Sequence, residues 1–69
     1  MSVYRVTDII GTSTESWEDA ASVAINTARN TIRDLRVAEV VAQDIQLADD
    51  GGITYRTKLR VSFKYETAE

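Results

Sequence analysis

The sequence predicts an α+β fold in the order strand, helix, strand, strand: a three-stranded antiparallel sheet wrapped around one helix. Three observations point there. From residue 53 to 65, Ile53, Tyr55, Thr57, Leu59, Val61, Phe63 and Tyr65 alternate with Thr54, Arg56, Lys58, Arg60, Ser62 and Lys64, the period-two signature of a strand. After Trp17 the apolar positions instead recur every three or four residues, as on one face of a helix. Between them, "LRVAEVVAQDI" at 35–45 carries Val37, Val40, Val41 and Ile45 with Ala38 and Ala42, so a strand drawn through it is apolar on both faces.

The first element is "VYRVTDII", residues 3–10, rich in β-branched and aromatic types and stopping at Gly11. "GTSTES" makes a turn. Ser16 followed three residues later by Asp19 fits a capping box, with the hydroxyl accepting from an orphan backbone N–H and the carboxylate near the positive helix end. The helical stripe is Trp17, Ala20, Ala21, Ala24, Ala28, Ile32 and Leu35, with Glu18, Ser22, Arg29 and Arg33 on the wet side. Its alanines let a sheet come close but bury little area per residue. The valine-rich strand runs on to about Leu47, and "ADDGG" at 48–52 is a hairpin turn, since glycine accepts the positive φ that tight turns demand. In a register that sets Asp44 opposite Lys58, these two form a cross-strand pair.

At 69 residues the chain reads as one domain, 1–69, near the limit of independent stability. It has no cysteine and no histidine, which excludes disulfides and thiolate or imidazole metal sites and leaves a hard, oxygen-bound ion or oligomerisation as the stabilising device. No run approaches a membrane span and the N-terminus lacks a signal-peptide pattern, so a soluble cytoplasmic protein is expected. The net charge of −3 gives no overall attraction to nucleic acid or anionic membrane. Arg56, Lys58, Arg60 and Lys64 share one face of the last strand, but Tyr55, Phe63 and Tyr65 point to the other, so the basic stripe reads as solvated or paired across strands. Without histidine or cysteine the usual general bases and nucleophiles are absent, and neither Ser13 nor Ser62 has an activating partner at recognisable spacing, so a binding and storage role, not an enzyme, is expected.

"YRVTDIIGTS", the alanine-rich helix, "AEVV" and "TYRTKLRVSFKYE" together resemble the dodecins, over nearly the whole chain. The resemblance implies a β-α-β-β subunit assembling into a hollow dodecamer, in which copies of the chain shield the second apolar face. An uncovered strip of valine and isoleucine would otherwise invite aggregation. Flavin-binding dodecins carry a tryptophan in the second strand that stacks on the ring, a polar residue further along it and a glutamine in the third strand. The matching positions here hold Val37, Ala42 and Arg56. Valine offers no π surface, so riboflavin or FMN storage is the alternative reading.

The calcium dodecins of actinobacteria resemble the chain more closely, in "MSVY", "DIIGTS", "SWE" (16–18), "RVA" (36–38), "QD" (43–44) and "ITYR" (53–56). This resemblance implies calcium sequestration or buffering. The candidate ligands are Asp8 on the first strand, Glu18 at the helix start, Asp34 at the helix end and Asp44 on the second strand, with Asp8 and Glu18 brought together by the "GTSTES" turn. "DDGG" lacks the spaced acidic ligands of an EF-hand and reads as a turn.

Overall fold

The computed structural model describes residues 1–65. Strand β1 (Tyr4–Ser13) leads into helix α1 (Trp17–Arg29), followed by strands β2 (Leu35–Leu47) and β3 (Ile53–Lys64). All pairing is antiparallel in the order β1-β3-β2, so the most regularly alternating segment takes the centre of the sheet. Among the described residues, no helix is long and apolar enough to cross a membrane.

Gly11 does not stop β1; the strand passes through it to Ser13. A Cβ built there would overlap the Ala20 carbonyl oxygen and lie 2.8 Å from the Ala24 Cβ, so the glycine is a packing device. It lets α1 lie on the strand through its alanine stripe, of which Ala20, Ala24 and Ala28 are buried. Leu59 and Val61 of β3 close the other side of this small core, with Ile9, Ala21, Ile25 and Leu35 packed around it.

Ser16 caps the helix as expected, its Oγ accepting from the Asp19 N–H at 2.9 Å. The return half of the box is different: the Asp19 carboxylate accepts from the Ser13 hydroxyl at 2.6 Å, tying the helix start to the end of β1. The helix ends earlier than the apolar spacing suggested. Asn30 is its C-cap, and Ile32 and Leu35 belong to the connection and to β2. Asp34 is therefore not at the helix end but in the following turn, with a left-handed φ of 58° that aspartate tolerates better than most residues.

The helix covers β1 and β3 and barely reaches β2. The expectation that only the outward face lacks cover thus understates the exposure: Val37, Val40, Val41, Ile45 and Leu47 of β2 are all exposed, and they include residues from both faces. A bulge between Val40 and Ala42 shifts the pairing by one residue and accommodates Val41.

The hairpin turn is held by the Ala48 N–H donating to the Gly52 carbonyl (2.9 Å) and the Gly51 N–H to the Ala48 carbonyl (3.0 Å), with Gly51 at φ +92°. This turn pairs Leu47 with Ile53, and hence Asp44 with Arg56 and Ala42 with Lys58. The expected Asp44–Lys58 register would centre the turn on Gly51. Centring it one residue earlier moves every partner by two.

Candidate functional site

The sheet face turned away from α1 gathers most of the sequence-predicted site residues. Val37, Ala42 and Asp44 of β2 are opposite Ser62, Lys58 and Arg56 of β3, and Asp8 of β1 is opposite Arg60. A cleft of about 240 Å³ on this face is lined by Ile10, Ala42, Asp44, Arg56 and Lys58. Its chemistry is ionic. The Arg56 guanidinium donates to both oxygens of Asp44, at 2.7 and 2.8 Å, and that of Arg60 to both oxygens of Asp8, at 2.9 and 3.1 Å. Lys58 Nζ lies 3.9 Å from Asp8, a looser contact.

Two-pronged pairing of this kind fixes geometry as well as charge. The Arg60 hydrogen bonds hold the Asp8 carboxyl below its ordinary value, with Lys58 adding a small pull, and Arg56 does the same for Asp44. The basic stripe is thus paired across strands at Arg56 and Arg60. Asp8 and Asp44 meet partners four positions apart on β3, about 13 Å along the strand, so they belong to separate pairs.

The other two acids are elsewhere. Glu18 is exposed in the first helical turn, on the covered side of the sheet, and the "GTSTES" turn does not bring it to Asp8, whose carboxylate faces the opposite way, toward Arg60. Asp34 is in the turn before β2, 3.8 Å from Arg36. Among the described residues no three acidic side chains converge as a metal cluster would require.

One contact that pattern reading missed is made by Trp17. Its indole N–H donates to the Asp44 carbonyl at 3.0 Å, its ring meets Tyr55 edge-on at 5.2 Å, and its own carbonyl accepts from the Thr57 hydroxyl at 2.9 Å. The helix start is thereby fastened to both hairpin strands. The only signal in the sequence was a large amphipathic ring at the first helical position; its partner is 27 residues away.

The dodecin family profile matches residues 3–66. This chain belongs to the dodecin family. The calcium dodecin of Mycobacterium tuberculosis is 55% identical over 69 residues, spanning 100% of this chain and 97% of the relative. The crystal structure of that calcium-chelating dodecin, which has a novel calcium-binding site, superposes with a TM-score of 0.88 at 53% identity, covering 99% of this chain and 97% of the other. A dodecin from Streptomyces davaonensis follows at 36% identity and a TM-score of 0.87, covering 96% and 97% of the two chains. A Thermus thermophilus protein gives 32% and 0.88, covering 99% and 100%.

Proposed function

We propose that this dodecin is a calcium-binding protein working as a homo-oligomer, a hollow dodecamer, that sequesters or buffers the ion. The observation that carries the reading is the 55% identity, over the entire chain, with a calcium dodecin. The donor chemistry is compatible: calcium takes six to eight oxygens from carboxylates, carbonyls and water in irregular geometry, and the chain has 11 acidic residues and no histidine. Asp8 and Asp44 are poor ligands within this fold, because calcium would have to displace a guanidinium already bonded to both oxygens. Glu18 is the strongest of the four candidates, since its carboxylate forms no ion pair among the described residues. Asp34, with one loose contact to Arg36, is second. With no three acids converging among the described residues, backbone carbonyls, water and a neighbouring copy complete the shell.

Calorimetric titration with calcium after chelator treatment tests this. A saturable heat is expected, with Glu18→Gln weakening binding about tenfold or more and Asp8→Asn and Asp44→Asn leaving it nearly unchanged. Absence of calcium heat together with quenching of riboflavin fluorescence would replace the calcium reading by the flavin one, in which Val37, Ala42 and Arg56 line the pocket.

A further inference from the structure

Two unpartnered apolar features occur on the same chain. The first is the end of the β2–β3 hairpin. Trp17, the first residue of α1, contacts the hairpin at Asp44 and Tyr55, and the strands continue past those residues to Leu47 and Ile53. There Leu47 is paired with Ile53, and they are 75% and 43% exposed. The second is a groove of about 330 Å³ between β1 and α1, whose lining includes Ile9, Ile10, Val23, Thr27 and Ile32. Ile10 and Val23 on its lips are 54% and 45% exposed.

Charge matches these two features to each other. The hairpin turn holds Asp49 and Asp50, whereas Arg29 and Arg33 directly follow the groove residues Ala28 and Ile32 in the chain. Neither arginine has an acidic partner among the described residues. The chain also exposes 5279 Å², against about 4,300 Å² for a compact monomer of its mass, an excess comparable to the roughly 800 Å² per partner of a stable interface.

We propose that the hairpin end is an arm that docks in the β1–α1 groove of a second copy of this chain, with Leu47 and Ile53 against Val23 and Ile10 and the acidic turn beside Arg29 and Arg33. Such a contact is heterologous, head to tail, and generates a closed ring when its rotation closes. The proposal rests on the homo-oligomer reading and specifies which surfaces meet.

The absence of cysteine permits a direct test. One chain carries Leu47→Cys and another Val23→Cys, both at exposed positions that leave the core untouched. They are mixed under conditions that allow subunit exchange and oxidised with diamide, with and without calcium chelator. A covalent pair is expected in the mixture and not with either chain by itself. Asp49→Lys should weaken assembly about tenfold in sedimentation, and adding Arg33→Glu to that chain should recover it. If the wild type assembles but the mixture gives no cross-link and Asp49→Lys assembles as before, the docking is overturned while the oligomer stands. If the wild type sediments as a single chain, both fall. Loss of calcium binding with cross-linking intact would overturn the ion reading only.

Discussion

A methyl group on Gly11 would overlap the Ala20 carbonyl oxygen and crowd the Ala24 Cβ, whereas one on Gly51 would have no neighbour within 4 Å and would suffer only from φ +92°. These glycines serve different ends, and their alanine variants separate them. Gly11→Ala is expected to destabilise by about 3 kcal/mol, because a backbone carbonyl cannot swing aside as a side chain can. Gly51→Ala should cost only about 1 kcal/mol, the penalty of a left-handed alanine. Urea unfolding at one fixed chain concentration checks this, and equal losses would mean that close approach is not what Gly11 provides. At this scale the sequence was half legible. Gly51 follows two aspartates in an evident turn, but Gly11 looks the same to a local reading, since only the helix arriving over it reveals the need for a bare Cα. The acids show the same limit. That Asp8 and Asp44 are carboxylates is plain from the sequence; that each is saturated by an arginine follows from registers set elsewhere in the chain.

Those registers belong to the elements. The three strands and their order along the chain were readable, because the alternation in β3 and the valines of β2 are strong local signals. The helix overran because Ile32 and Leu35 continue its spacing past Asn30, with no glycine or proline to mark the end. Pairing was misjudged by two residues because glycine pairs draw the eye to the centre of a turn that is built one residue earlier. The true pairing ties all three strands through Asp8–Arg60 and Asp44–Arg56 on one face. Both carboxyls titrate below the ordinary 3.8 when folded, Asp8 chiefly through hydrogen bonds from Arg60 and Asp44 through those from Arg56. A depressed carboxyl contributes stability above its unfolded value and loses it as pH falls through the folded one. Folding stability should therefore decline as pH drops from about 5 through the ordinary value and below it. The decline is modest because the pairs are solvated. In the Asp8→Asn/Asp44→Asn chain this part of the slope should disappear, leaving the variant modestly less stable than wild type near neutrality and meeting it at acid pH, where both carboxyls are protonated. Wild-type and variant curves that run parallel from neutrality down through the acid range would show the pairs to be energetically idle.

The whole chain is more extended than its length predicts, with a radius of gyration of 14.4 Å, against about 11 Å for a compact domain of this size, and extents of 55 × 20 × 16 Å. Elongation follows from the parts already described. A helix of 13 residues is about 20 Å long, whereas β2, also of 13 residues, spans about 43 Å, so the strand outruns its cover. Lengthening the helix would not cure this, because it is seated over β1 and β3 by Gly11 and leaves most of β2 beyond Leu35 exposed. Val37, Val40 and Leu47 then remain in water at a cost of roughly 25 cal/mol per Å² of apolar surface, which association with further copies recovers. Stability should accordingly be inseparable from chain concentration. When unfolding includes dissociation of many identical chains, a tenfold dilution removes about 1.3 kcal/mol per chain. For a domain this small that lowers the melting midpoint by about 5 °C or more. Thermal scans across two decades of concentration, in excess calcium and again in chelator, read this directly. A midpoint that ignores dilution would mean that the exposed β2 valines are tolerated by a solitary chain. A dilution slope that persists in chelator would show that the copies are held by apolar contact first, with the ion binding to an assembly already formed.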